Sequence, residues 1–136
     1  MTTLATLPTP CLIVEEARMM ANIERLAAHA RRLGVALRPH LKTVKSVEIA
    51  RRVLANATGP ATVSTLAEAE VFAMAGITDI LYAVGITPQK LQRVQALRAR
   101  GCDLTVLLDS IEQTQAVTEV ARATVTAAAS APPIRH

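Results

Sequence analysis

The chain has very few aromatic residues, since tryptophan is absent from its 136 residues and Tyr82 and Phe72 are the aromatic side chains. Rows of aromatic side chains that stack on nucleic-acid bases are therefore excluded, and any core must be aliphatic. Cysteine is also scarce: Cys11 and Cys102 lie far apart, without metal-ligand spacing around either. This pattern excludes a disulfide framework and predicts two buried thiols in a reducing compartment.

Long apolar runs are missing as well. No stretch reaches the roughly 18 uncharged apolar residues that a membrane span needs. Residues 1–10 lack the basic stretch and apolar run of a secretory signal, so we expect a cytoplasmic protein with no membrane partner. The formal net charge of +4 comes from arginines scattered along the chain. Because they form no continuous basic patch, we expect no nucleic-acid partner.

What the sequence does contain is an alternation of short aliphatic runs with segments of helical periodicity, which predicts βα units around a parallel sheet. A first helix is predicted over 15–33, and Gly34, Gly76 and Gly101 each follow a helical pattern. The predicted strands are Cys11–Val14, Val35–Leu41, Ala61–Ser64, Asp79–Val84 and Asp103–Leu108.

Four βα units follow the first strand and helix, about half of a (β/α)8 barrel. An open doubly wound sheet of five strands fits the same spacing. Residues 1–123 are predicted to form this unit. The segment 124–136, rich in Ala, Ser and Thr and ending near a Pro-Pro pair, is predicted to be a disordered or aberrant tail. The chain stops where another strand is expected, which predicts a truncated product.

Reactive side chains concentrate in the segment 37–46 (LRPHLKTVKS), at the carboxyl end of a predicted strand. This is where α/β barrels and open α/β sheets place their sites. Strand alternation puts Leu41 on one face and Arg38, His40 and Lys42 on the other.

Burying three cationic or polar side chains together is costly unless an anion compensates them, and a phosphorylated cofactor is such an anion. Lysine also forms Schiff bases with aldehydes. The alternative interpretation is that Lys42 and Lys45 are ordinary loop lysines and that Arg38 caps a strand end.

Three stretches resemble the family of D-threonine aldolases, D-serine dehydratases and related fold-type III pyridoxal-phosphate enzymes, whose barrel is shared with alanine racemase. Residues 7–14 (LPTPCLIV) resemble its entry strand and 38–45 (RPHLKTVK) its cofactor motif. Residues 63–70 (VSTLAEAE) with 75–81 (AGITDIL) resemble its next barrel unit.

The resemblance implies a truncated barrel of the alanine racemase N-terminal type that binds pyridoxal 5'-phosphate. Lys42 would be the catalytic Schiff-base lysine, with His40 and Arg38 lining the cofactor pocket and Lys45 matching a second motif lysine. The implied activity is that of a lyase, a dehydratase or aldolase, on D-amino acids, or of a racemase. Val44 departs from the histidine of many relatives, which leaves the subfamily and its substrate open.

The resemblance also implies a homodimer for a full-length relative and a divalent metal held by a C-terminal β domain, whose ligands this sequence lacks. Two alternatives remain open at this point. One is a non-catalytic pyridoxal-phosphate carrier, and the other is an inactive gene remnant with an exposed sheet edge.

Overall fold

The computed structural model describes residues 3–130, with side chains to 126, and divides after Leu37 into two units. The first unit contains a 3-10 helix, Leu4–Thr6, and helix α1, Glu16–Leu33. The predicted first helix is thus confirmed, and Gly34 ends it in the left-handed conformation at φ 67°. Ala30 is buried, whereas Leu26 and Leu33 of the predicted apolar stripe are more than half exposed.

The second unit is built on a three-stranded parallel sheet in the order β1–β2–β3, with a helix after each strand. Its elements are α2 (Val47–Val53), β1 (Ala61–Val63), α3 (Leu66–Met74), β2 (Asp79–Gly85), a 3-10 helix (Pro88–Lys90), α4 (Leu91–Ala99), β3 (Asp103–Leu107) and α5 (Ile111–Ser130). These strands lie within one residue of three predicted strands, which are confirmed.

Two other predicted strands are wrong. Cys11–Val14 is extended but joins no strand among the described residues, and Leu12 is fully exposed. Cys11 is exposed as well, contrary to the prediction that both thiols are buried. Of Val35–Leu41, a single residue pairs with β1, through the parallel bridge between His40 and Thr62.

The reason for this short pairing lies in two prolines. In the register of the bridge, the next pair toward the N-terminus is Arg38 with Pro60, and its two ladder bonds would need the N–H groups of Pro39 and Pro60. Proline has no backbone N–H. The ladder therefore cannot extend from His40 toward Val35.

One face of the sheet carries the core. On this face the strands contribute Ala61, Val63, Ile80, Tyr82, Leu104 and Val106. All of these are buried except Val106, which is partly buried. Phe72, Leu66 and Leu91 contribute from α3 and α4. On the opposite, open face of the sheet, Thr62, Leu81 and Thr105 stand in register, and exposure increases across it from the buried Thr62 to the exposed Thr105.

The segment 124–136 was predicted to be a disordered or aberrant tail, and α5 extends into it as far as Ser130. Alanine has the highest helix propensity, which explains why an Ala-rich stretch extends the helix. Residues 131–136 lie outside the described part of the chain. Within the described residues, no helix is both long and apolar enough to cross a membrane.

Candidate active site

The segment that carries Lys42 is fixed on the free edge of β1. Thr62 donates its N–H to the Pro39 carbonyl, and the Leu41 N–H donates to the Thr62 carbonyl, each at 2.8 Å. Immediately afterwards the chain turns, because the Val44 and Lys45 N–H groups both donate to the Leu41 carbonyl. Lys42 therefore lies just beyond the carboxyl end of the paired segment, where sites of parallel sheets are found.

Side chains alternate along this segment as predicted. Leu41 has no exposed surface and packs into the core, while Arg38, His40 and Lys42 are exposed. Because paired residues of parallel strands place their side chains on the same face, His40 and Thr62 share the open face of the sheet. Arg38, two residues before His40, projects from that same face, whereas Lys42 lies in the turn that follows His40.

His40 is held through both ring nitrogens. Its Nδ1 accepts a hydrogen bond from the Lys42 N–H at 3.3 Å, and its Nε2 lies 3.3 Å from the Ser64 Oγ. Since a backbone N–H can only donate, Nδ1 carries no proton in this arrangement, and Nε2 is the protonated nitrogen that donates to Ser64. The imidazole thus ties the backbone of Lys42 to the end of β1.

Lys42, Lys45 and Lys90 are the lysines of the sequence, and their amines differ in surroundings. The Lys45 Nζ lies 3.8 Å from the Glu68 carboxylate, and the Lys90 Nζ donates to the Tyr82 hydroxyl at 2.9 Å. Within residues 3–130, the Lys42 amine makes no hydrogen bond or ion pair. Lys42 is therefore exposed at the carboxyl edge without the side-chain partner that Lys45 and Lys90 each have.

Lys45 closes the turn in the left-handed conformation, at φ 47°. This conformation costs a non-glycine residue roughly 1–2 kcal/mol, so the turn is held by its surroundings. Ser46 follows as the cap of α2 and accepts from the Ile49 N–H. Hydrogen bonding to its own backbone N–H, and then to the Ser46 hydroxyl, lowers the pKa of Glu48. The turn after Lys42 thus passes directly into a capped helix.

Glu68 stabilises the neighbouring turn after β1. Its carboxylate accepts from the N–H groups of Ser64 and Thr65 at 2.9 and 3.1 Å, and the Thr65 hydroxyl accepts from the Glu68 N–H. This is the capping box that the Thr65–Glu68 spacing predicts. The bonds fix Ser64, the partner of His40, at the same edge of the sheet as Lys42.

Arg38 lies at the opposite end of the sheet from Lys42. Its guanidinium donates to the Asp79 carboxylate at 2.7 Å and to the Ala61 carbonyl at 3.2 Å, at the first residues of β2 and β1. Arg38 precedes Lys42 by four positions, which corresponds to at most about 13 Å of extended chain. The structure brings His40 and Lys42 together and leaves Arg38 apart, in the strand-end position of the alternative interpretation.

Two contacts at the carboxyl edge were not predicted. Ser64 ends a predicted strand two residues after Thr62, so alternation alone could have placed it on the open face. The second is a close approach of the Asp109 carboxylate to Gly85, where any Cβ at position 85 would collide with it. Asp109 also accepts from the Gln113 side-chain amide. No sequence pattern indicates this approach, because it depends on the packing of the β2 and β3 ends.

Residues 14–131 match the protein family described as the alanine racemase N-terminal domain. The chain belongs to this family. Its fold is therefore part of the alanine racemase N-terminal-type barrel of fold-type III pyridoxal-phosphate enzymes, which decides between the barrel and the open sheet.

Relatives within the family agree. D-threo-3-hydroxyaspartate dehydratase of Delftia sp. is 47% identical over 120 residues, which are 88% of this chain and 32% of that protein. Its solved structure superposes with a TM-score of 0.87, covering 91% of this chain and 33% of the other. The structure of an alanine racemase-like protein of Idiomarina loihiensis superposes with a TM-score of 0.85 at 52% identity, covering 88% of this chain and 32% of the other. D-threonine aldolase of Arthrobacter sp. is 36% identical over 85% of this chain and 31% of that protein. The chain thus spans about a third of the length of these relatives.

Proposed function

We propose that this chain carries the cofactor lysine of a pyridoxal-phosphate-dependent lyase, a dehydratase or aldolase, that acts on D-amino acids. The observation that supports this most directly is the contrast among the lysines. Lys45 and Lys90 have carboxylate and hydroxyl partners, whereas the Lys42 amine has none within residues 3–130. An exposed amine without a partner can condense with an aldehyde.

The residues around Lys42 fit a pyridine-type cofactor in their donor chemistry. His40 presents a planar ring beside the lysine and is held at both nitrogens, so it can form a fixed wall of a cofactor pocket. The adjoining open face of the sheet offers Leu81 and Ala83, which are only partly buried. When bound, pyridoxal phosphate supplies an electron sink that stabilises negative charge at the substrate α-carbon.

In this arrangement Lys42 provides the covalent attachment and His40 positions it through the Lys42 N–H. Arg38 was predicted to line the same pocket. Its contacts with Asp79 and Ala61 instead support a role in holding the segment on the sheet. Within the described residues, no group of three or more His, Cys, Asp or Glu side chains could hold a metal ion. The divalent metal stays an expectation for full-length relatives, and so does the homodimer.

Reductive trapping tests the proposal. The purified chain is incubated with pyridoxal phosphate, treated with borohydride and digested, and the labelled peptides are identified by mass spectrometry. We expect label on Lys42 in preference to Lys45 and Lys90, loss of that label in Lys42→Ala, and retention in the matched control Lys45→Ala. Equal label on all lysines would show that the cofactor motif is present without a pocket.

The substrate class is tested separately, by incubating the chain with pyridoxal phosphate, a divalent metal and D-threonine, D-serine or D-threo-3-hydroxyaspartate, and measuring 2-oxo acid or aldehyde. Turnover that is lost in Lys42→Ala would support a lyase. Selective Lys42 label without turnover would instead support the non-catalytic carrier.

A further inference from the structure

The segment that presents Lys42 has few backbone bonds to the sheet. Thr62 supplies both of them, one to the Pro39 carbonyl and one from the Leu41 N–H. Toward the N-terminus the ladder stops, because Pro39 and Pro60 have no N–H to donate. Among the described residues, backbone pairing therefore holds the segment to β1 at the His40–Thr62 bridge alone. One bridge does not fix the angle between the segment and β1.

Arg38 supplies the missing attachment with its side chain. Its guanidinium donates a hydrogen bond to the Ala61 carbonyl of β1 at 3.2 Å and another to the Asp79 carboxylate of β2 at 2.7 Å. The Arg38 and Asp79 side chains are 38% and 42% exposed, so the ion pair lies against the sheet and is partly accessible to solvent. One side chain thus joins the Lys42 segment to two successive strands.

We infer that the Arg38–Asp79 ion pair positions Lys42, and that Arg38 is a positioning residue rather than a ligand of the cofactor. The segment is then fixed at both ends of its short pairing, by Arg38 below the bridge and by the contacts of His40 above it. The inference deepens the proposed function, since it takes Lys42 as the cofactor lysine. Its geometric part, the fixing of residues 39–41 on β1, stands on the contacts alone.

The test compares wild type with Arg38→Gln, Asp79→Asn and the double variant. Arg93→Gln is the matched control, because Arg93 forms an ion pair of similar exposure with Glu70, at 2.7 Å between α3 and α4, away from Lys42. Three quantities are measured for each protein: the urea midpoint of unfolding, hydrogen exchange of the Leu41 and Thr62 amides, and the rate of borohydride-trapped label on Lys42 relative to Lys90.

We expect Arg38→Gln and Asp79→Asn each to speed exchange at Leu41 and to slow Lys42 labelling by about fivefold, the effect of losing roughly 1 kcal/mol. The double variant should be no worse than either single variant, because both remove one interaction. Arg93→Gln should leave the exchange at Leu41 and the labelling ratio within about twofold of wild type, whatever its effect on the urea midpoint.

Slower Lys42 labelling in Arg38→Gln with unchanged exchange at Leu41 and no effect of Asp79→Asn would overturn the inference and make Arg38 a cofactor contact. A uniform rise in exchange that follows the urea midpoint, and that Arg93→Gln reproduces, would also overturn it by making the ion pair merely structural. If wild type shows no preference for Lys42, the proposed function fails, yet the exchange measurements still decide whether the ion pair fixes the segment.

Discussion

Truncating Leu41 to alanine probes how firmly the core holds the Lys42 segment. Leu41 has no exposed surface and belongs to the core cluster, and its N–H and carbonyl make the bonds that fix the segment and begin the turn. Removing a fully buried leucine side chain costs about 3 kcal/mol, from lost burial and from the cavity left behind. This is a large share of the 5–15 kcal/mol that typically stabilises a domain.

The assay is urea unfolding followed by far-ultraviolet circular dichroism, with the free energy of unfolding obtained by linear extrapolation. The matched control is Leu12→Ala, the same chemical change at a residue that is 100% exposed, for which we expect less than about 0.5 kcal/mol. In urea concentrations where both proteins stay folded, Leu41→Ala should also label Lys42 more slowly. Equal, small losses in the two variants would refute the view that Leu41 anchors the site.

Other measurements test separate parts of the structure. Cys11 should react rapidly with a thiol reagent such as DTNB and Cys102 slowly, because burial, and then Asp103, raise the pKa of the Cys102 thiol; equal rates in the folded chain would contradict this. The hydrogen bond from Arg93 lowers the pKa of Glu70 below its ordinary value of 4.5. A carboxylate whose pKa is lower in the folded state stabilises the fold at pH values above its unfolded-state pKa, and this stabilisation is lost as the pH falls through the folded-state pKa. Wild type should therefore be more stable than Glu70→Gln at pH 7, and the difference should disappear well below pH 4.5. A stability difference that persists at the lowest pH would show that Glu70 acts through packing.

Three of five strands could be predicted from the sequence, and the reason is visible in β2. Its alternation of buried and half-buried residues follows the pattern of a sheet with one packed face. The Thr65–Glu68 capping box and the glycine after α1 were equally legible, because they depend on residues close in sequence. Val35–Leu41 has the composition of a strand, but its ladder stops because both Pro39 and Pro60 lack an N–H, and the pairing of Pro60 with Arg38, 22 residues earlier, is not visible in any local pattern.

The same distinction separates the site residues. Lys42 and His40 could be placed at a sheet edge from the motif and from alternation. His40 contacts the Lys42 N–H, two residues away, and the Ser64 hydroxyl at the end of the adjacent strand. Arg38 could not, because its partner is Asp79, 41 residues further on. Strand alternation puts Arg38 on the same face as His40, but that face has an amino end and a carboxyl end. The contacts with Asp79 and with the Ala61 carbonyl show that the guanidinium occupies the amino end.

The cationic side chains at the two ends of that segment have different acidic partners. At the amino end, Asp79 neutralises Arg38, and at the carboxyl end Glu68 lies beside Lys45. Lys42, between them along the chain, keeps no such partner within residues 3–130. A bound phosphate is therefore not needed to offset Arg38 or Lys45. Of these three cationic side chains, that of Lys42 is the one without such a partner in the described part of the chain, so we expect selective labelling of this lysine.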